Sequence, residues 1–324
     1  QWRPEGQFSL QVPSTEGRKA YLKTAEHRQG IRCERCPCVL RSLLCAHQDH
    51  APSTPVRAHC RNPGRMQGCI EAGKRIWLSS AAGASRKLKF TWEAVETEGA
   101  GGGNVLVSCN PLRANQLARA VLQARCLPGL DTYATAEAER PLAVVSADGA
   151  AHGGRVDFVL DAGAPVAHYV EVKNCALADE DGWAYFPGGV SARATRHVEA
   201  LAALASDGAK ATVLWVVQRG DVARGVRPSA FHDPAFAAAV VRASRAGVAF
   251  RALRASVGPD CTRVVGELGV DLTGHDRPEV VSALAAQWEA HRRSMGWVSS
   301  RTGRRAGVGD LPHHRRRARS GEKK

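Results

Sequence analysis

Long apolar runs are missing from this sequence of 324 residues. None approaches the ~20 residues that a membrane-spanning helix needs. The first residues, Gln1-Trp-Arg-Pro-Glu5, lack the basic region leading into an apolar region that marks a secretory signal. Methionine is scarce as well: the chain starts at Gln1 and has Met66 and Met295, which suggests a fragment or a processed product. We therefore expect a protein outside the membrane, long enough for one large or two modest domains.

Cysteine is also sparse. Ten cysteines in a chain of this length are too few for a disulfide scaffold. Several of them stand alone, among them Cys109, Cys126, Cys175 and Cys261. Isolated cysteines are typical of small buried apolar side chains in a reducing compartment. The composition thus predicts a soluble protein of a reducing compartment, either cytoplasmic or organellar.

One group of cysteines near the start of the chain could bind zinc. The four candidate ligands are Cys33, Cys36, Cys45 and His47. The second half of this group has no clean Cys-x2-Cys or His-x3-His spacing, so zinc is not favoured. A zinc-bound RNA module in this segment is the weakest of three functional hypotheses.

Lysine is rare, with 9 lysines against 36 arginines, although the net charge is +14. Residues 1–75 hold 13 Lys+Arg against 6 Asp+Glu, and residues 301–324 hold 9 against 2. The segment between them has no net charge. Basic ends favour nucleic acid as a partner, through phosphate contacts and counterion release. A GC-rich coding sequence would produce the same arginine bias, so charge alone leaves DNA binding open. The arginine run at 315–319 is a nucleic-acid arm, a nuclear import signal or a solvated tail.

The most informative segment consists of two alternating apolar stretches around the turn-prone residues 161–165. This pattern predicts a β-hairpin. With the turn at its centre, the hairpin places Asp157 opposite, or nearly opposite, Glu171. Side chains alternate along a strand, so Glu171 and Lys173 share one face. The sequence therefore predicts two carboxylates and one ammonium group at a common patch.

These are the groups that a magnesium-dependent phosphodiesterase needs. Mg²⁺ (or Mn²⁺) prefers oxygen ligands and keeps several waters, so Asp157 and Glu171 could hold it beside a phosphate. The metal would polarise the phosphoryl oxygen and acidify an attacking water. Lys173 could orient that water or offset charge on the phosphate. On spacing alone, a hairpin whose Glu171 and Lys173 are simply solvated is an equally good interpretation.

The pattern along the chain predicts an α/β (α+β) organisation. Residues 1–55 are irregular, and short apolar runs broken by glycine predict a small β-barrel from residue 56 to 110. Alternating strands and helices follow from 111 to 272, and a basic tail extends over 273–324. The predicted elements after the barrel are a helix at 115–124, the hairpin, a helix at 192–205, a buried strand at 211–218, a helix begun by Asp233-Pro234, a strand at 248–253 and a helix at 279–292.

Several ordered blocks between about His59 and Leu272 resemble the sugar fermentation stimulation protein (SfsA) family. The blocks are His59-Cys-Arg-Asn-Pro-Gly-Arg-Met66, Arg86-Lys-Leu-Lys-Phe-Thr-Trp-Glu93, Arg155-Val-Asp-Phe-Val-Leu160, Tyr169-Val-Glu-Val-Lys-Asn174, Phe186-Pro187, Arg196-His197, Val217-Gln-Arg219 and Asp233-Pro-Ala-Phe236. The resemblance implies an N-terminal OB-like β-barrel followed by a PD-(D/E)XK nuclease-like α/β domain. It also implies DNA binding and a metal-dependent nuclease site at Asp157, Glu171 and Lys173.

Further candidate contacts to nucleic acid are Arg86, Lys87, Lys89, Arg196, His197, Gln218 and Arg219. The first three lie beside Phe90 and Trp92, which suits a barrel face that stacks bases and holds phosphates. Ordinary surface charge beside core aromatics is the alternative. Gln218 and Arg219 end a buried strand whose tip should lie near the acidic pair. For the helical pair Arg196 and His197, a solvated face is the default expectation.

The chain also departs from the family pattern. Arg61 and Pro63 replace a proline and a threonine, Gly188 stands where an acid is usual, and Ala120 stands where a glutamate is common. Two acidic helpers of a metal site are thus missing. The leading hypothesis is a DNA-binding, magnesium-dependent endodeoxyribonuclease. The alternative is a non-catalytic DNA-binding regulatory protein with a degenerate nuclease site.

Overall fold

The computed structural model of the protein describes residues 10–11, 40–41, 58–71, 74–80, 87–145, 149, 151–259 and 261–297. Its strands and helices, in chain order, are β1 (Leu10–Gln11), β2 (Leu40–Arg41), β3 (Ala58–His59), β4 (Ile76–Ser80), β5 (Phe90–Glu98), β6 (Asn104–Ser108), α1 (Leu112–Gln123), β7 (Ala136–Val145), β8 (Ala151–Leu160), β9 (His168–Cys175), β10 (Leu177–Ala178), β11 (Trp183–Phe186), α2 (Ala192–Ser206), β12 (Lys210–Val217), β13 (Gly225–Pro228), α3 (Pro234–Arg245), β14 (Ala249–Val257), β15 (Cys261–Leu268) and α4 (Pro278–Ser294).

Three sheets organise these strands. The largest has the order β1-β15-β14-β12-β9-β8-β7, and β2 also pairs with β15. Its centre is parallel, because β12 pairs in parallel with both β9 and β14, and its flanks are antiparallel. A smaller sheet has the order β10-β11-β13, and the N-terminal strands form a third sheet in which β5 pairs with β3, β4 and β6.

The central strand β12 explains how the large sheet is covered. Alternate residues of this strand pack on opposite faces: Leu214 lies in the apolar cluster with α1, whereas Val213 and Trp215 lie in the cluster with α2 and α3. A strand covered on both faces needs a nearly continuous apolar sequence. The prediction of a buried strand at 211–218 is therefore confirmed.

Capping side chains determine where helices α2 and α3 begin. Ser191 caps α2 by accepting a hydrogen bond from Ala194 N at 3.2 Å. Asp233 caps α3 by accepting one from Phe236 N at 3.0 Å, and Pro234 occupies the first turn, as predicted. The second oxygen of Asp233 accepts a hydrogen bond from Ser191 N at 2.8 Å, so one buried carboxylate ties the starts of both helices together.

Replacing Asp233 with alanine is expected to lower the free energy of unfolding by about 2 kcal/mol, because it removes a cap and leaves two backbone N–H groups without their acceptor. Asp233→Asn keeps one acceptor and is expected to lose about half as much. Urea denaturation of both variants measures the effect. Equal stability of wild type and Asp233→Ala would contradict this role.

Several elements differ from the sequence prediction. Helix α1 begins at Leu112, three residues before the predicted start. Strands β7 and β15 were not predicted. Strand β7 carries three charged residues, Glu137, Glu139 and Arg140, followed by Pro141, which is tolerated because this strand ends the described sheet and needs partners on one side only.

The helix predicted at 279–292 is α4, and it packs on the folded body. Its Trp288 is buried and stacks on Phe231, with ring centroids 4.6 Å apart, and meets the edge of Tyr185. In the segment predicted as irregular, 1–55, the structure describes β1 and β2, which both pair with β15. No disulfide joins the cysteines of the described residues. Among the described helices, none has the length and apolarity needed to span a bilayer.

Candidate metal and nucleic-acid site

The predicted hairpin is formed by β8 and β9. Its register pairs Phe158 with Val170 and Leu160 with His168. The pairing ends at Phe158 and Val170, and next to it Val172 N donates to Asp157 Oδ2, which brings Asp157 beside the segment that carries Glu171 and Lys173. Val170 and Val172 face α1, which leaves Glu171 and Lys173 on the side of α2.

Asp157 is held in place by two donors. Val172 N donates to Oδ2 and Asn115 Nδ2, from the first turns of α1, donates to Oδ1, both at 2.7 Å. Burial raises the pKa of Asp157 to about 6, and the negative charge of Glu171 adds to the shift. These two hydrogen bonds and Lys173 act in the opposite direction without cancelling it. Near neutral pH this carboxyl group is thus close to its titration range.

Glu171 is 4% exposed and sits between two nitrogen donors. Lys173 Nζ and His197 Nδ1 both contact Oε1, the histidine at 2.5 Å. Burial alone would raise the pKa of Glu171, but the Lys173 charge and the His197 hydrogen bond outweigh it and lower the pKa below its usual value. The two neighbouring carboxyl groups therefore have pKa values that are shifted in opposite directions, which is common at functional sites.

Lys173 reaches a cleft of about 610 Å³ between the N-terminal sheet and the large sheet. Its side chain is 11% exposed, and Lys173 and Asn174 belong to the lining of the cleft. Behind them, Gln218 Nε2 donates to Asn174 Oδ1 at 2.7 Å. The hairpin thus contributes Lys173 to the lining of an accessible cavity.

Oxygen ligands for a hard cation are present, but few. Asp157 and Glu171 offer carboxylates, and both contacts to Glu171 fall on Oε1 rather than Oε2. In the described part of the chain, no group of three or more His, Cys, Asp or Glu residues is arranged to hold a metal ion. Two carboxylates fit a cation such as Mg²⁺, which completes its shell with water and phosphate oxygens. They do not fit a metal that needs a full set of protein ligands.

The candidate nucleic-acid residues have different surroundings. Lys87 and Lys89 are exposed just before β5, and Arg196 is exposed on α2. Of their aromatic neighbours, Trp92 packs against the N-terminal apolar cluster and donates from Nε1 to Ala94 O at 2.9 Å. Trp92 is therefore better described as a core aromatic residue than as part of a base-stacking surface. Arg86 lies outside the described residues.

The prediction that Gln218 and Arg219 contact nucleic acid does not fit their positions. Gln218 is 0% exposed and Arg219 is 6% exposed. Arg219 donates to both oxygens of Asp221 at 2.7 Å and to Ala176 O at 3.0 Å. A buried guanidinium with three such partners stabilises the fold and is not available to a phosphate.

His197 was expected to lie on a solvated helix face, and this expectation was wrong. Its ring bonds Glu171, and a Cβ placed on Gly154 would lie 3.4 Å from His197 Nε2. The helical period could have predicted that His197 faces the sheet, since it follows the buried Ala194 by three residues and precedes the buried Leu201 by four. The contact from Asn115 was missed, because nothing local in the sequence links α1 to β8.

The two departures from the family pattern differ in position. Ala120 is buried in the apolar cluster beneath the large sheet, whereas Gly188 lines the cleft. The candidate zinc ligands Cys33, Cys36, Cys45 and His47, and the arginine run at 315–319, lie outside the described residues.

Comparison with known proteins identifies the family. Residues 44–107 match the SfsA N-terminal OB domain, and residues 112–261 match the sugar fermentation stimulation protein RE domain. A sugar fermentation stimulation protein homolog of Caulobacter vibrioides is 38% identical over 209 residues, covering 64% of this chain and 82% of the relative. A homolog of Halorhodospira halophila is 39% identical over 210 residues, covering 63% of this chain and 82% of the relative.

A solved structure supports the fold assignment. The structure of Pyrococcus furiosus SfsA in complex with Ca²⁺ matches with a TM-score of 0.55 at 24% identity, covering 67% of this chain and 86% of that one. The prediction of a mixed α/β protein with an N-terminal OB domain is thereby confirmed. The chain belongs to the sugar fermentation stimulation protein family.

Proposed function

We propose that this protein is a DNA phosphodiesterase that depends on a divalent cation, with Mg²⁺ or Mn²⁺ as the working ion. The observation that carries the proposal is the proximity of Asp157, Glu171 and Lys173, of which Lys173 lines the cleft. The opposite pKa shifts of the two carboxyl groups also support it. An ion pair between Glu171 and Lys173 that served the fold alone would not need a second buried carboxyl group, Asp157, with a raised pKa.

Asp157 and Glu171 would hold the cation through carboxylate oxygens. When bound, it would supply charge to a phosphoryl oxygen and make a coordinated water more acidic. SfsA of Pyrococcus furiosus was solved in complex with Ca²⁺, another cation that takes oxygen ligands, and this supports binding of a divalent ion by the present protein.

The remaining side chains act on position and charge. Lys173, which lines the cleft, would orient the attacking water or offset charge on the phosphate. His197 and Asn115 fix the two carboxylates from outside the hairpin, through Glu171 Oε1 and Asp157 Oδ1. Such outer contacts hold ligand groups in a productive orientation.

DNA as the substrate rests on separate observations. The N-terminal domain matches an OB domain, a fold that often binds nucleic acid. The net charge of +14 is concentrated at the two ends of the chain. Positive charge promotes association with a phosphate backbone and makes it dependent on salt.

A DNA-binding protein without catalysis is the second candidate. It is favoured by Gly188, where an acidic helper is absent from the cleft lining, and by Ala120, which is buried among apolar side chains. With two carboxylates, the protein would hold a cation weakly, and Lys173 already bonds one of them. In this case DNA would bind in EDTA as well as in Mg²⁺, and would remain intact.

Incubation of supercoiled plasmid with the protein tests the proposal. Wild type is expected to nick the plasmid in Mg²⁺ or Mn²⁺ and not in EDTA. Asp157→Ala and Lys173→Met are expected to slow nicking by at least about 100-fold, the scale lost with a positioned catalytic group. Asp207→Ala, an exposed acid at the end of α2, serves as the matched control and is expected to cut normally. Equal nicking by all four proteins, or none by any, would reject the phosphodiesterase.

A further inference from the structure

The cleft above Lys173 has walls from both domains. One wall comprises residues 62–67, and the other comprises residues 185–191. The Arg65 side chain reaches from the first wall to the second, because a Cβ placed on Gly189 would lie 3.4 Å from Arg65 Cγ and 3.6 Å from Arg65 Nε. The two walls therefore touch, and the cleft is bridged on this side.

The bridging wall has a defined shape. Met66 has a φ of 48°, in the left-handed region, and its carbonyl accepts a hydrogen bond from Cys69 N at 2.9 Å. Thr97 Oγ1, on β5, donates to Gly68 O at 2.8 Å. A residue held in this sparsely populated conformation is often found at a ligand-binding position. The wall is thus fastened to the N-terminal sheet.

The size of the cleft limits what enters it. Its volume of about 610 Å³ falls within the range of roughly 300–1,000 Å³ for pockets that enclose one small molecule. A site for intact duplex must stay open along two phosphate backbones. A bridged pocket of this size has room for a single strand at the depth of Lys173.

The lining suits a single strand of nucleic acid. Arg65 and Arg193 contribute positive charge, Lys173 adds an ammonium group paired with Glu171, and no Asp or Glu is among the described residues that line the cleft. Apolar surface comes from Phe186 and from Val190, which is 75% exposed. Sites for single strands combine a positive path for phosphates with apolar or aromatic surface for unpaired bases.

We propose that the DNA strand enters this cleft unpaired, so that the protein acts on single-stranded DNA or on an unpaired segment of a duplex, such as negative supercoiling opens in a plasmid. This inference rests on the proposed phosphodiesterase for the cutting step, whereas occupation of the cleft by a single strand is a separate claim. A preference for single strands that came from the OB domain alone would not depend on the cleft.

Gly188 provides a variant that fills the cleft without disturbing its walls. It lines the cleft, and a Cβ placed there meets nothing within 4 Å. Gly103, in the exposed loop between β5 and β6, has the same open surroundings and lies outside the cleft lining. Gly188→Leu and Gly103→Leu thus form a matched pair that differs in location.

The test measures binding of a fluorescein-labelled oligodeoxynucleotide by anisotropy in EDTA, both as a single strand and annealed as a blunt duplex. Wild type and Gly103→Leu are expected to prefer the single strand by at least about tenfold, the scale of one or two stacked bases. Gly188→Leu is expected to lose about tenfold in affinity for the single strand and to bind duplex as wild type does.

The same oligonucleotides in Mg²⁺ separate the two proposals. Selective, Gly188-dependent binding without cleavage would overturn the phosphodiesterase and support occupation of the cleft by a single strand. Cleavage of duplex at the rate of the single strand, or binding and cleavage unchanged by Gly188→Leu, would overturn entry of an unpaired strand while the phosphodiesterase stands.

Discussion

Replacement of Glu171 with glutamine is expected to reduce Mg²⁺-dependent DNA cleavage by at least about 1,000-fold, because an amide is a much weaker ligand for a hard cation than a carboxylate. The substitution keeps the size of the side chain. It removes the negative charge that Lys173 and His197 both contact, so the ammonium group also loses the partner that orients it. Plasmid nicking rates measure the catalytic loss, and titration calorimetry with Mn²⁺ measures the lost metal affinity.

Glu279→Gln is the matched control, since this glutamate is exposed at the start of α4. It should change neither nicking nor Mn²⁺ affinity. Circular dichroism and thermal melting show whether Glu171→Gln remains folded. A folded Glu171→Gln protein with wild-type Mn²⁺ affinity would contradict the assignment of this carboxylate as a ligand.

The hairpin could be predicted because its information is local. Alternation on both sides of a turn defines which residues face each other, and the register of β8 and β9 follows from the position of that turn. The proximity of Asp157, Glu171 and Lys173 could therefore be predicted without knowledge of the rest of the fold. The capping residue Asp233 is equally local, since its signal lies within four residues of the helix that it starts.

The parts that escaped prediction depend on contacts between distant segments. Asn115 and Asp157 are 42 positions apart, and His197 and Glu171 are 26 apart. Which helix face meets a strand depends on the packing of the whole sheet. Gln218 and Arg219 were misplaced for the same reason: a polar end of a buried strand can reach solvent or stay inside, and here buried partners hold both.

Strand β7 shows a different limit. Its first half alternates alanine with charged residues and leads into Pro141, and alanine, glutamate and proline all have low strand propensity, so no local signal marks it as a strand. Pairing with the whole length of β8 compensates, from Ala136 opposite Leu160 to Val145 opposite Ala151. Tertiary pairing thus overrides a weak local preference, as is common for strands.

Replacement of Asp157 with asparagine is expected to make the metal-free protein more stable above pH 7. The folded-state pKa of about 6 lies above the ordinary value of 3.8, so burial favours the protonated form in the native state. Protonated Asp157 therefore contributes to the free energy of unfolding of the wild type. This contribution is fully present below about pH 4 and is lost as the pH rises through 6. The difference between the two pKa values corresponds to about 3 kcal/mol of unfolding free energy, which the wild type loses at high pH. Asp157→Asn has no charge to bury and does not lose it.

Urea denaturation of both proteins in EDTA, from pH 4 to pH 8, measures this effect as the difference between them, so that carboxyl groups common to both cancel. Asn115 can rotate its amide to suit the new side chain, which preserves the local hydrogen bonds. Excess Mg²⁺ is expected to stabilise the wild type but not Asp157→Asn, by about 2.7 kcal/mol at 100 times the dissociation constant. Asp207→Asn, at an exposed position, should follow the wild type throughout. A difference that stays flat with pH would mean that Asp157 is not a buried, destabilised carboxylate, and the reason for placing a cation beside it would be lost.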